Sequence, residues 1–323
     1  WFFHAYPFRF VELFAPDKMP PHAIVNHIPL TTEFTRKVTL MRLAAAEGWT
    51  FVPRMYTLPF QEGDGLLASG AGPPPYLVTK NLQHRGVKLT PWQDVGSMQQ
   101  GLAQTYIAKP LLVDGSKFDF GAYILLLGGG ERDREVSVRV LIYDEISLRF
   151  CASPYPGAGA REPTDEELLA APTGALFVDD HFRSFWNMPS LRPHVALGAR
   201  RALREAIGAE RMAAIDRGVA ENAAQVADAA LRRHTARIAE YPRSGGHFWE
   251  LVRMDNTVDA ELRSFTVEIN MSPNMVSYGP RRDQADGDDI TWRRRLMDAT
   301  LRAAAAWARG GPEGQEPVLP PGA

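Results

Sequence analysis

The spacing of hydrophobic positions changes several times along the chain, and the changes outline its elements. Val38, Leu40, Leu43 and Ala44 fall at helical spacing within T-E-F-T-R-K-V-T-L-M-R-L-A-A-A-E-G, and Gly48 supplies the stop. W-T-F-V-P at 49–53 reads as a short strand. Residues 61–75 form a Gly/Pro-dense linker before Y-L-V-T-K at 76–80, a buried strand that ends in a lysine. A loop, another strand and a short helix near 94–99 follow. The densest strand signal spans 102–150: Q-T-Y-I, F-D-F-G-A-Y-I-L-L-L, V-S-V-R-V-L-I-Y and S-L-R-F-C. Connections at 128–134 and at Asp144-Glu145 make this a β-meander. Residues 152–190 look irregular. The Ala/Arg/Glu-rich stretch 193–240 predicts two or three helices broken near Gly208 and Gly218. F-W-E-L-V-R-M at 248–254 and S-F-T-V-E-I-N at 264–270 predict a hairpin, and 291–308 a terminal helix. The tail 309–323 reads as flexible. There is no internal repeat.

Composition narrows the class. At 323 residues, 45% hydrophobic and 23% charged, the chain has ordinary globular content and can bury a sizeable core. Its net charge of -2 offers no overall basic field, which argues against a nucleic-acid or membrane binder, so an acidic partner must meet a local patch. A single cysteine, Cys151, excludes an internal disulfide and a cysteine-rich zinc site and suits a reducing cytosolic compartment. The eight histidines show neither H-x-H nor H-E-x-x-H spacing. No apolar run reaches the roughly 18 to 20 residues of a membrane span. The opening Trp-Phe-Phe, without Met, reads as the start of an excerpt.

The chemistry concentrates in the hairpin. Glu268 and Asn270 lie two apart on a strand and so share a face, and the hairpin return sets Asp255 beside them. Two carboxylates and a carboxamide suit Mg²⁺, which takes oxygen ligands and completes its shell with water and phosphates. The alternative is a strand edge decorated with solvated polar residues. Lys80 is a candidate phosphate contact, followed by a polar loop containing Arg85 and Gly86. Lys117 and Asp119 share a strand face. Arg139 and Arg149 sit inside apolar strands, where an arginine needs a partner. Trp186, Trp249 and Trp292 read as packing residues. Arg200, Arg201, Arg204 and Arg211 form either a basic patch or a solvated helix face.

Five ordered blocks resemble the tubulin tyrosine ligase-like family of ATP-grasp amino-acid ligases. V-N-H-I-P-L-T-T-E-F-T-R-K at 25–37 is similar to N-H-F-P-x-x-x-E-x-T-R-K, F-V-P-R-M-Y-T-L-P at 51–59 to F-x-P-R-T-x-x-L-P, and Y-L-V-T-K to W-I-V-K. Residues 104–119 are similar to Q-x-Y-I-x-x-P-L-L-I-D-G-R-K-F-D, and 255–273 to D-V-L-I-D-x-x-L-K-P-W-L-L-E-V-N-x-S-P. The resemblance implies an α+β ATP-grasp fold with an N-terminal lobe at 1–60, a central lobe at 61–109, a C-terminal lobe at 110–308 and the tail beyond. ATP would lie between the last two lobes. It implies Asp255, Glu268 and Asn270 as Mg²⁺ ligands and Lys80 as a phosphate contact, with Arg85 and Gly86 in the phosphate loop. Gln104, Tyr106 and Ile107 match the adenine hinge, Lys117 and Asp119 nucleotide contacts, and Arg149 the arginine of the L-x-R-F strand. Lys80, Arg149 and Glu268 are the implied catalytic residues. The implied reaction adds a free amino acid, with glutamate the first choice, to a protein carboxylate through an acyl phosphate. The implied acceptor is tubulin or another acidic protein tail, and the implied setting a monomer in the cytoplasm, at the cytoskeleton or cilium.

Three features depart from the pattern. The family's F-D-I-R strand is F-D-F-G here, so Gly121 stands where the family's arginine helps bind a substrate carboxylate. Lys88 replaces a glycine of the R-G-x-G-I loop, and the segment after the R-F strand matches only loosely, through His181. Arg139 or Arg183 is the expected substitute for the missing charge. Two alternatives stay open: a nucleotide-binding pseudo-ligase that binds microtubules or proteins, and a ligase for a small-molecule or non-tubulin peptide acceptor.

Overall fold

The computed structural model describes residues 23–28, 31–60, 73–80, 86–129, 137–158, 161–240, 247–273 and 287–308. Its elements run β1 (Ile24–Asn26), α1 (Thr31–Thr35), α2 (Lys37–Glu47), β2 (Met55–Leu58), β3 (Tyr76–Lys80), β4 (Lys88–Pro91) and α3 (Trp92–Val95). They continue with β5 (Gly101–Gln104), β6 (Leu112–Val113), β7 (Ser116–Gly129), β8 (Ser137–Phe150), α4 (Asp165–Ala170), α5 (Thr173–Leu176) and β9 (Arg183–Ser184). After two short 3₁₀ turns come α6 (Ala199–Ile207), α7 (Ala209–Glu240), β10 (His247–Val258), β11 (Ser264–Met271) and α8 (Gly287–Ala308). The α+β class expected from the sequence is observed.

Two sheets organise the chain. The larger follows the order β1-β10-β7-β8-β9, with β11 on β10 and β6 on β7; the smaller is β2-β5-β3-β4. Residues 23–60 are shared between them: β1 pairs in parallel with β10, while β2 pairs with β5. Alternation along β7 separates two faces of the large sheet. Phe118, Phe120, Ala122, Ile124 and Leu126 join the main core with residues of α1, α2, α6 and α7. On the opposite face Tyr123, Leu125 and Leu127 pack with Trp249 and Leu251 beneath Leu296 and Ala304 of α8. The charged residues 117 and 119 continue this second face beyond the apolar part. Asp114-Gly115, both at positive φ, form the two-residue turn from β6 into β7, a turn type matched to strand twist.

Four expectations change, the first being that the strand read at 49–53 lies later, as β2 at Met55–Leu58. Asp144-Glu145 do not connect two strands, because β8 runs unbroken through them and the slack is taken up by a register shift opposite Ala122–Ile124. The pair anchors α6 instead: Glu145 Oε1 accepts the Arg200 backbone N–H at 2.8 Å, and Asp144 pairs with the Arg200 guanidinium at 2.6 Å. A carboxylate at a helix start satisfies an orphan N–H and meets the positive end of the dipole. The helical stretch does break at Gly208 (φ 94°), but α7 runs straight through Gly218. There the absent side chain serves close packing, since a Cβ would lie 3.2 Å from Ser264 Oγ and 3.3 Å from Ser264 Cβ on β11. The short helix expected near 94–99 lies earlier, at 92–95. The tail 309–323 and the loop residue Arg85 lie outside the described residues.

An exposed mid-helix Gly→Ala replacement gains about 1 kcal/mol from propensity. Gly218→Ala should show none of that gain in urea denaturation, and Gly218→Leu should lose about 1–3 kcal/mol to overpacking. A gain in both variants would mean that α7 does not approach β11 this closely.

Candidate active site

The site assembles on the second face of the large sheet, where the apolar cover of α8 gives way to charge. Cross-strand register sets the neighbours. Asp255 on β10 faces Gly121 on β7 and Glu268 on β11, Arg253 faces Asn270, and Asp119 faces Arg149 on β8. The β10–β11 ladder shifts register between Asp255 and Asn256. Beyond that bulge Asn256 turns to buried hydrogen bonds with Met254 O at 2.7 Å and Thr266 Oγ1 at 2.9 Å. A bulge of this kind re-aims side chains, here leaving Asp255 as the last residue of β10 within the polar cluster.

Each carboxylate is held by a cation. Asp255 accepts two hydrogen bonds from Arg253, Nε at 2.6 Å and Nη2 at 2.8 Å, and one from Asn270 Nδ2 at 3.2 Å. Arg149 donates to Asp119 at 3.0 Å and reaches Asp255 at 3.7 Å. Glu268 pairs with Lys37 Nζ at 2.7 Å. Burial pushes the Asp119 carboxyl up to about 6, against the pull of Arg149. Burial works most strongly against the Arg253 charge, but hydrogen bonding and charge attraction to Asp255, with Tyr123 beside it, together raise the guanidinium pKa.

The small sheet supplies one opposing cation, Lys80, and the start of β7 a second, Lys117. Lys80 ends β3, donates to Gln104 Oε1 at 3.0 Å, and lies near enough to Lys37 and Glu268 for their charges to act on it. Burial lowers its pKa to about 8, with Lys37 acting in the same direction and Glu268 opposing. Lys117 is lowered to about 8 chiefly by burial; it donates to Leu176 O at 2.9 Å and lies 4.4 Å from the centre of the Tyr106 ring. Gln104 is buried, and its Nε2 has no hydrogen-bond partner among the described residues. A buried amide donor left open beside two lysines is what an incoming polar ligand would satisfy. Ile107 is half-buried in the segment after β5, and Gly86 has φ 70° just before β4.

The structure thus brings Asp255, Glu268, Asn270, Asp119 and Arg149 together, with Lys80 beside Glu268 and Lys117 beside Asp119. It does not bring in the two arginines expected to replace the charge missing at 121. Arg139 lines a cavity of about 320 Å³ between β8 and α8. Arg183 donates to Cys151 O at 3.1 Å and to Ser116 Oγ. Instead Arg253 lies over Gly121. His181 is exposed, as are Arg201, Arg204 and Arg211, while Arg200 is taken up by α6. Lys37 and Arg253 were not singled out from sequence, although Lys37 closes the T-R-K block and Arg253 stands two before Asp255 on the same strand face. Among the described residues no group of three or more His, Cys, Asp or Glu side chains converges. The Asp255/Glu268/Asn270 set has only two carboxylates, the number that suits a cation sharing its shell with phosphates.

Comparison with known proteins finds a family that the chain resembles. The tubulin-tyrosine ligase family model matches residues 16–168. The probable tubulin polyglutamylase ttll-15 of Caenorhabditis elegans is 26% identical over 274 residues, covering 82% of this chain and 49% of that protein. The chain is similar to the tubulin-tyrosine-ligase-like family. Its mixed α+β architecture is of the ATP-grasp kind associated with that family. Tubulin polyglutamylase ttll6 of Danio rerio is 29% identical over 154 residues, 45% of this chain and 18% of the relative. Tubulin polyglutamylase TTLL13 of Homo sapiens is 31% identical over 143 residues, 41% and 17%. The chain therefore spans about half the length of the worm relative and less of the other two. No helix among the described residues is long and apolar enough to cross a membrane.

Lys80 and Lys117 set a pH signature for the folded chain. An unfolded lysine keeps its proton to about 10.4, whereas these two lose it near 8 when folded. Between those values the unfolded chain binds more protons, so stability rises with pH. Urea midpoints should climb from pH 8 to 10 in the ligand-free protein, less steeply in Lys80→Met. An identical slope in the variant would show that Lys80 is not desolvated.

Proposed function

We propose that this chain is the catalytic part of an ATP- and Mg²⁺-dependent ligase that joins glutamate to a carboxylate of a protein acceptor, with tubulin as the acceptor. The observation that carries the reading is the convergence of Asp255, Glu268 and Asn270 opposite Lys80 across the two sheets. The names of the relatives, all tubulin polyglutamylases, support glutamate and tubulin. Residues 16–168, which match the family model, include Lys80 and the 104–119 block.

Asp255, Glu268 and the Asn270 carboxamide oxygen would hold the metal. Lys80 and Lys117 would neutralise phosphate oxygens, with Arg149 carrying a further positive charge beside Asp255. The open Nε2 of Gln104, next to Lys80, fits a nucleotide acceptor atom. Bound nucleotide supplies the phosphoryl group that activates the acceptor carboxylate toward an amine. The chain's part is to orient the partners, offset the negative charge and keep water out. Tyr106, in edge contact with Tyr76 on one side and Phe177 on the other, forms with them an aromatic wall beside Lys117 for the last of these tasks.

The test is incorporation of labelled amino acids, tried singly, into tubulin with Mg-ATP. Glutamate should be incorporated, and Glu268→Ala should reduce the rate by about 10²-fold or more, the scale of losing one preorganised electrostatic contact. Incorporation of another amino acid would correct the substrate, and no incorporation despite Mg-ATP binding would overturn the ligase reading. Lys80→Ala should slow turnover far more than Lys88→Ala, because Lys88 is exposed whereas Lys80 ends a buried strand. The reverse order would move the phosphate contact into the loop.

A further inference from the structure

Gly121 is an empty position filled from the next strand. A Cβ built there would lie 2.5 Å from Arg253 Cδ and 2.8 Å from Cγ, closer than real side chains approach, and 3.0 Å from Nε. Arg253 thus crosses from β10 over β7 and occupies the volume that a residue-121 side chain would take. Its course is fixed at the far end by the two-pronged pair with Asp255. The pair is not sealed: the Arg253 side chain is 18% exposed and that of Asp255 12%. A guanidinium has five N–H donors, and Asp255 uses Nε and one more nitrogen, leaving donors for a ligand. On the other side lies Tyr123, buried, whose hydroxyl feels the Arg253 charge yet makes no hydrogen bond of normal geometry among the described residues.

Charge balance points to what approaches. Among the described residues, Asp119, Asp255 and Glu268 carry three negative charges on this face, while Lys37, Lys80, Arg149 and Arg253 carry four positive ones, before Lys117 is counted. An anion therefore meets a net positive face, and Arg253 with the Tyr123 hydroxyl presents the planar, multi-donor surface that a carboxylate takes.

We propose that Arg253 is the carboxylate-binding residue for the free amino-acid substrate, seated in the notch that Gly121 leaves. This rests on the ligase reading and deepens it. The amine must reach an acceptor carboxylate activated beside Asp255, and an arginine hydrogen-bonded to Asp255 grips the amino acid one side chain away from that point. Arg253 also holds Asp255 in place, so its two roles need separate readouts.

Calorimetric binding of glutamate to the purified chain, in the presence of Mg²⁺ and a non-hydrolysable ATP analogue, needs no turnover and separates this inference from the ligase reading. Arg253→Ala should weaken glutamate binding about tenfold to a hundredfold, the range for losing charged hydrogen bonds, while the affinity for the Mg²⁺ analogue changes less than about threefold. Arg253→Ser combined with Gly121→Arg should recover glutamate affinity, because it returns a guanidinium to the same volume from the facing strand. Unchanged glutamate affinity in Arg253→Ala, or no glutamate binding by the wild type, overturns the assignment. Equal losses of glutamate and analogue affinity, unrepaired by the double variant, reduce Arg253 to a support for Asp255. Failure of labelled glutamate to enter any acceptor, with calorimetric binding intact, would count against the ligase and leave the arginine assignment standing.

Discussion

Arg253 and Asp255 occupy one face of the same strand, and the register of that strand decides what they meet. β10 pairs with β7 along one edge and with β1 and then β11 along the other, so each of its residues has neighbours on both sides. A slip of one residue would turn Arg253 and Asp255 into the main core and bring Val252 and Met254 out onto the charged face. The apolar burial of Phe248, Val252 and Met254 against α1, α2 and α7 therefore enforces the polar geometry. Stability and site are set by one alternation.

A second buried polar group carries that order to the helices. Glu250, on the core side of β10, accepts from Thr31 Oγ1 at 2.6 Å and meets His27 Nδ1 at 2.8 Å. His27 sits at φ 109° directly after β1, and Thr31 opens α1. A carboxylate in this position is costly unless its acceptors are satisfied, so His27 and Thr31 are both tied to β10. Lys37, one helix start later, then arrives against Glu268. The N-H-I-P-L-T-T-E-F-T-R-K block thus works as a mount: its first half grips the centre of the sheet, and its last residue enters the site.

What was legible in the sequence was what local pattern determines. Period-2 alternation and the turn after Asp255 were enough to place Asp255 by Glu268 and Asn270, and an apolar strand ending in lysine was enough to mark Lys80. Facts that depend on which strands become neighbours were not legible. Arg253 reads as an interruption in an apolar strand until β7 is known to lie beside it with a glycine diagonally opposite, at the level of Asp255. Asp144-Glu145 has turn composition, and only the arrival of α6 explains two acids in the middle of a strand. Gly218 carries the signal of a helix break, and its real reason, Ser264, lies 46 residues away on β11. Contacts between elements distant in sequence overrode local propensity in each case.

The same reasoning bears on the missing arginine at 121. On a pleated sheet, diagonal positions of adjacent strands on one face, as 121 and 253 are, lie about 7–8 Å apart, within reach of an arginine side chain. A guanidinium required at one point above the sheet can therefore be rooted on either strand, provided the other strand yields the space, and only glycine yields all of it. Comparing position 121 by itself registers the loss of a cation. Comparing the volume above positions 121 and 253 registers that a cation is still there. The chemistry belongs to the face of the sheet and to the charge balance around Asp255, and a change that looks like an inactivated site along one strand is compatible with a working one across two.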